Sequence, residues 1–567
     1  MYIHTIPNRN SPPAILLRES FRENGKTRNR TIANISHWPA EKIEALGRLL
    51  KGEKLVGVDD LFENVSSFQH GNVSAVLSAI RRLGIKQDIS AKPCDERDRV
   101  VAMIAAQVLN PQSKLAYTRW WGKTTLPDEL GVGGADEDDL YAAMDWLLER
   151  QGRIEKKLAR RHLVDGGLVL YDLTSSYFEG SKCPLADLGH NRDGKKGKLQ
   201  VNYGLLTDGR GCPASVTVFK GNVGDPSTLA AEVRKLKERF GLSSVVLVGD
   251  RGMIGQKQID EVLRPEGLGW ITALKSGAIR ELMANGSIQL GLFDERNLFE
   301  LVHPDYPGER LVACRNQELA KARAHKRQSL IEATRKELAK VRRMAGKGKL
   351  KDAAAIGVRV GKVVNKYKVA KHFAIEIGES SFDFRVDERS VAAEAALDGI
   401  YVVRTSIEPE RMPAGDAVRN YKALAQVERA FRSLKTIDLH VRPIRHRLED
   451  RVRAHIFLCM LAYYVEWHMQ EALRPLLFSD EDQEAKKTRD PVTPARRSRG
   501  ALAKTAAKRI EDGSTVHSFR TLLTSLGGIV KNVCRHRGVA DTATVTIVTT
   551  PTPAQDRAFA LLDAIRP

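Results

Sequence analysis

The sequence predicts an α/β protein: a mixed sheet flanked by helices, a helical region ahead of it and a basic segment inserted within it. Three observations carry that prediction. Residues 37–163 repeat apolar side chains at spacings of three and four, the helical period. Residues 164–275 switch to short runs of β-branched and aromatic residues, three in quick succession and then two separated by helical stretches. After a polar interval the helical period returns over 413–475.

Residues 1–36 read as a β-hairpin arm. "AILLRESFRENGKTRNRTIANI" (14–35) has strand-like halves around Asn24-Gly25, a strong hairpin signal. Its outward residues are largely basic, which suits an arm lying on phosphates and equally suits a solvated edge. Residues 37–163 form a helical domain, where "VSAVLSAIRRLGI", "DERDRVVAMIAAQVL" and "DEDDLYAAMDWLLERQGRIEKKLARRHL" each carry one apolar stripe. Two of them open on acids, as a helix N-terminus prefers. DNA binding fits this domain, although spacing alone picks out no recognition helix.

The core begins with strands "GLVLYDLTSSYF", "QVNYGLLTD" and "ASVTVFKGN". A helix opening at Asp225-Pro226 follows, then strand "SSVVLVGD", a short helix and strand "GWITALK". In the insertion, 276–412, "NQELAKARAHKRQSLIEATRKELAKVRRMAGKGKLK" reads as a basic helix with a thin apolar stripe. A helix that polar is either solvent-facing or laid along a partner. Strand candidates "HFAIEI", "SFDFRV" and "GIYVVRTS" come after it. The core's second part, 413–475, ends on "AHIFLCMLAYYV", too short to span a bilayer and read as a buried helix. Residues 476–567 form a flexible basic linker, "AKKTRDPVTPARRSRGALAKTAAKR", and a small appendage.

Over 567 residues, 91 Lys and Arg stand against 70 Asp and Glu, a formal charge of +21. That balance suits a polyanion, with nucleic acid ahead of an anionic membrane surface; a merely basic soluble protein is the plain alternative. The six cysteines show no CxxC spacing, which argues against a zinc cluster or a disulfide framework and fits a reducing cytoplasm. Residues 1–30 lack an apolar signal core.

Two of the apolar strands end on an acid: Asp172 in "GLVLYDLTSSYFEG" and Asp250 in "VVLVGDRGMIG". Carboxylates at neighbouring strand ends repel each other unless a cation lies between them, and Mg²⁺ takes such oxygen ligands together with substrate phosphates. The plain alternative is that each merely caps a turn. A third acid joins them in "NYKALAQVERAFRSLK" (420–435). At ~100° per residue on one helix, Tyr421, Glu428 and Lys435 project within about 40° of one another. Ala423, Val427, Ala430 and Leu434 form a separate apolar face. An ordinary amphipathic helix with one Glu at its edge would look the same.

Together the three blocks resemble the DDE transposases, and more narrowly the bacterial insertion-sequence group whose last motif reads Tyr-x2-Arg-x3-Glu-x6-Lys. Here Tyr421, Glu428 and Lys435 keep that spacing, while Leu424 stands where the motif has Arg. The resemblance spans about 164–475 and implies an RNase H-like core, a mixed five-stranded sheet interrupted by an insertion. It makes Asp172, Asp250 and Glu428 the catalytic acids and ligands of two Mg²⁺ ions, with Mn²⁺ as a substitute. It places Tyr421 and Lys435 on DNA phosphate, with Arg429 or Arg432 replacing the motif's Arg. It implies double-stranded DNA, element ends and target, as partner, and a homodimer or larger assembly on paired ends in the bacterial cytoplasm. Relatives that cut through a DNA hairpin hold a flipped base on an aromatic ring in the insertion; here Phe293, Phe299 and Tyr306 are the candidates. The competing readings are a nuclease or resolvase without strand joining, and an inactive DNA-binding derivative.

Overall fold

Asn24 and Gly25 both take positive φ, 51° and 79°, as the tight turn of a two-residue hairpin requires. They join strand β2 (Ala14–Glu23) to β3 (Lys26–Asn34), and β1 (Tyr2–Ile6) pairs antiparallel with the other edge of β2. A second three-stranded sheet runs in the order β16-β15-β4, from β4 (Phe62–Gln69), β15 (Val530–His536) and β16 (Thr544–Val548). The computed structural model describes residues 1–566 except 10, 54–61, 483–487, 489 and 537–543. It divides into two compact units: Met1–Phe68 with Val530–Thr550, and Gln69–Ile529 with Pro551–Pro567. The appendage expected at the C-terminus therefore contributes strands to the N-terminal unit.

The larger unit is built on one sheet. Strands β5 (Leu168–Tyr177), β6 (Gln200–Asp208) and β7 (Pro213–Lys220) form an antiparallel meander, and β8 (Val246–Val248) and β9 (Gly269–Ala273) continue it parallel to β5. The helix Asp225–Arg234 and a helical turn after Gly255 make the crossovers that parallel neighbours need. Both faces are covered. Leu170 and Val248 pack into one apolar cluster with the helix Glu449–Ala472, while Val169, Tyr171 and Leu247 pack into a second with Leu229, Val233 and Ile259.

The sheet has eight strands rather than the expected five. Beyond β9 come β14 (Ile400–Thr405), β11 (Arg310–Arg315) and β10 (Leu298–Leu301), all antiparallel. Strand β9 is a largely buried apolar edge, and a buried row of unpaired N–H and C=O groups must find partners. The run "GIYVVRTS" supplies them. Three strands from the stretch 276–412 thus extend the central sheet. What stands apart is the helix Gln317–Gly346, whose stripe Ile331, Thr334, Leu338, Val341 and Ala345 is buried. It packs with the helix Ala353–Tyr367 and the hairpin of β12 (Phe373–Ile377) and β13 (Phe382–Val386).

Helices Gly71–Arg82, Asp95–Leu109 and Glu137–Glu149 pack on Glu449–Ala472 and share its cluster. From Gly71 onward, the helical stretch and the sheet have one core. The linker expected to be flexible is folded where it is described: Ser498 caps the helix Arg499–Ala507, and its N–H and hydroxyl donate to Asp480 at 2.8 and 2.7 Å. Residues 485–487 and 489 of that linker lie outside the described residues. Among the described residues no helix is long and apolar enough to cross a membrane.

Candidate active site

The register of β5 on β8 decides how the first two acids meet. Leu168 lies opposite Val246, Val169 opposite Leu247, and Leu170 opposite Val248. Asp250 follows the end of β8 by two residues, near enough that its charge acts on the Asp172 carboxyl. Strand alternation puts Asp172 on the face of Leu170, beneath the cluster that contains Val427, Ala430 and Phe431.

Asp172 is half-buried, and its Oδ1 accepts the Leu173 N–H at 2.8 Å. Burial pushes its carboxyl up to about 7; the Asp250 charge adds to the rise, while the Leu173 N–H and the Arg192 guanidinium oppose it. Asp250 is exposed, and its Oδ1 accepts N–H groups from Gly252 at 2.9 Å and Met253 at 2.7 Å. Gly252 keeps that turn tight, since a Cβ there would lie 3.2 Å from the same oxygen.

Glu428 arrives on the helix Leu424–Arg432, which packs on β5. Its buried side is Val427, Ala430 and Phe431, and the Phe431 ring meets Tyr203 of β6 edge-on at 5.9 Å. The single helix expected over 420–435 is in fact three pieces. One ends at Lys422, a second begins at Leu424, and a π-helical turn covers Ser433–Ile437. The 100° arithmetic therefore does not carry Tyr421 and Lys435 onto the Glu428 stripe.

Tyr421 is half-buried, and its hydroxyl is pushed up to about 12, first by burial and then by the charges of Asp250 and Glu428. Its phenol thus senses an acid from the strand and an acid from the helix. Glu428, Arg429 and Arg432 are exposed, whereas Leu424 packs against the core. Lys435 is buried, and its Nζ bonds Asp193 at 2.8 Å. Asp193 also holds Arg442 and accepts the Tyr177 N–H at 2.9 Å. Burial lowers the Lys435 ammonium and Asp193 opposes that shift.

Two charged groups near Asp172 carry no motif. Arg192 pairs with Asp225, and both act on the Asp172 carboxyl. The local signal for the first is "HNRDGK", where Asn191 Oδ1 accepts N–H groups from Asp193 and Lys195 at 2.9 Å. For the second it is Asp225-Pro226 at a helix start. Phe293, Phe299 and Tyr306 pack against a cluster under β11 and β14, with the Arg404 guanidinium 4.9 Å from the Tyr306 ring. His455 is half-buried, its Nε2 3.2 Å from the Val441 carbonyl.

Among the described residues no Lys or Arg forms an ion pair with Asp172, Asp250 or Glu428. The three acids do not have ligand atoms all within 4.8 Å of one another. Asp250 nevertheless raises the Asp172 carboxyl and no ion pair neutralises either acid, a pair of hard oxygen donors that fits a divalent metal. Comparison with known proteins points the same way. The family model described as transposase DDE domain matches residues 165–465, and that of the IS1634 family transposase N-terminal domain matches residues 3–57. No curated protein matches the chain.

Proposed function

The chain belongs to the DDE transposases of insertion sequences, and on that footing we propose that it cuts DNA at the terminal inverted repeats of its element and joins the freed 3′ ends to target DNA. One observation carries the assignment to residues: Asp172 lies on β5 and Asp250 two residues past the end of its parallel neighbour β8, while the helix that bears Glu428 packs on β5. The order β7-β6-β5-β8-β9 supports reading this part of the sheet as an RNase H-like core, with β14, β11 and β10 as its extension.

Neighbouring strands are spaced about 4.8 Å apart, which suits carboxylates sharing two Mg²⁺ ions. When bound, such ions would activate the attacking oxygen and offset charge at phosphorus. Asp172, Asp250 and Glu428 would hold them. Asp250 is oriented by the Gly252 and Met253 N–H groups, and Asp172 by Leu173. Tyr421, kept protonated at neutral pH, donates its hydroxyl to a phosphate oxygen beside the cut. Arg429 and Arg432, exposed one and four residues beyond Glu428, take further phosphates. Lys435 reaches DNA by exchanging Asp193 for a phosphate while Arg442 retains the aspartate. The polar sides of Gln317–Gly346 and Arg499–Ala507 bind phosphates without reading sequence. Two copies act on paired ends in the bacterial cytoplasm, at the nucleoid.

The test offers donor DNA carrying the element ends together with target DNA in Mg²⁺. Cleaved donor and joined product are expected from the native chain and neither from Asp172→Asn, with end binding retained. Cleavage by Asp172→Asn would sink the residue assignment, and cleavage without joined product would leave a nuclease.

A further inference from the structure

A second cluster of ligating side chains lies near the start of β5. His162 closes the helix Gln151–His162, Cys212 ends the turn between β6 and β7, and His468 lies within Glu449–Ala472. One ligand atom from each lies within 4.8 Å of the other two. We propose that His162, Cys212 and His468 bind a zinc ion, separate from the carboxylate site and independent of the function assigned to it.

The geometry is close to what zinc requires. Cys212 Sγ and His468 Nε2 are 3.7 Å apart; for a tetrahedral ion with ordinary Zn–S and Zn–N bonds, that edge is about 3.6 Å. The two histidine rings lie 5.5 Å apart, centre to centre. His162 is already oriented: its Nε2 is 2.8 Å from the Tyr464 hydroxyl, while Nδ1 is buried and has no hydrogen-bond partner. An imidazole fixed through one nitrogen with the other lone pair unused is the usual state of a metal-binding histidine, whose outer partner sets the tautomer.

The surroundings permit the ion. A cavity of about 300 Å³, lined by His162, His468, Trp467 and Glu471 among others, leaves room for water in the fourth position. Three guanidiniums line it as well, but Arg161 is held by Asp88 at 2.5 and 2.9 Å, Arg210 by Asp208 at 2.9 Å, and Arg566 is exposed to solvent. Burial lowers the histidines to about 4 and about 3, so both are neutral at pH 7. Binding forms the S–Zn bond and breaks the Cys212 S–H bond, releasing that proton to solvent. The ion would tie the end of one helix, a hairpin turn and the central helix into one cross-link.

Cobalt titration of the chelator-treated full chain tests this. A thiolate-to-cobalt charge-transfer band at one equivalent is expected from the native protein and from Asp172→Asn, and no band from Cys212→Ser or His468→Gln. Tyr464→Phe keeps the ring and removes only the outer hydroxyl; it should weaken binding by roughly 10–100-fold, which reads the site even where a ligand variant does not fold. A native chain without the band, a band that survives Cys212→Ser, or an unchanged affinity in Tyr464→Phe would each overturn the site.

Discussion

The two clusters, one at the middle of β5 and one near its start, are assembled by different means. Asp172 lies at the middle of β5, and local backbone places both acids: the strand itself for Asp172, and for Asp250 a turn closed by the Gly252 and Met253 N–H groups. The Cys212 turn lies near the start of β5, where Asp208 pairs with Val169. There the three side chains come from a helix end, a turn and a second helix, and only packing brings them together. The first cluster offers hard oxygens in half-buried and exposed positions; the second offers a buried sulfur and two imidazoles. The two proposed sites thus differ in donor chemistry, hard oxygens favouring a hard cation and sulfur with imidazole a softer one.

The largest expected effect separates the two most cleanly. Asp172→Asn, Asp250→Asn or Glu428→Gln should each lower donor cleavage by at least roughly a thousandfold, the upper range for losing one charge-stabilising group at a reacting centre. The cobalt band should persist in all three. A cleavage assay run beside the cobalt titration checks this, and a joint loss of both signals would mean the sites are not separate.

Next in size is the ion-pair cluster beside the acids. Asp193→Ala leaves Lys435 and Arg442 partly buried with their shared partner gone, and should destabilise the chain by about 3 kcal/mol, the usual cost of breaking a buried pair. Urea unfolding reads this directly. A loss well under that would mean Lys435 is free to turn to solvent, and would strengthen its role on DNA.

Smaller changes are expected on the DNA-facing side. Arg429→Ala and Arg432→Ala should weaken binding evenly across sequences, each reducing the slope of log affinity against log salt by about 1. Fluorescence anisotropy over a salt series measures the slope, and an unchanged slope removes that residue from the DNA surface.

A pH dependence is confined to the acid site. The Asp172 carboxyl, 3.8 when unperturbed, is raised to about 7 in the fold. Its protonated form is therefore favoured by folding, a contribution present below about pH 4 and lost as pH rises through 7. Metal-free protein should lose melting temperature across that window, Mg²⁺ should restore part of it at pH 8, and Asp172→Asn should flatten the slope. An identical slope in the variant would remove Asp172 as its source.

Local chemistry made several elements legible. Asn24-Gly25 marks its hairpin because few other pairs accept two positive φ values. The strands around Asp172 and Asp250 announce themselves as apolar runs bounded by polar turns. The helix Leu424–Arg432 shows its buried side through Val427, Ala430 and Phe431. Other features were hidden. "GIYVVRTS" reads as a strand, but nothing in it names β9 and β11 as its neighbours. The break at Ala423 and the π-helical turn leave no mark, since Ala, Leu and Ser are at home in an unbroken helix. That Lys435 faces Asp193, 242 residues away, is equally silent.

By itself the sequence determined what is short-range: the turns, the periods, the charge, and three acids in a recognisable order. Tertiary structure alone decided which distant side chains share a space. The cysteine spacing pointed away from a zinc cluster because such spacing speaks only for ligands carried on one loop. Cys212 and His468 are 256 residues apart yet 3.7 Å in space. Backbone preferences act over a few residues, whereas burial brings together whatever the packed elements happen to carry, and a linear pattern holds no record of that.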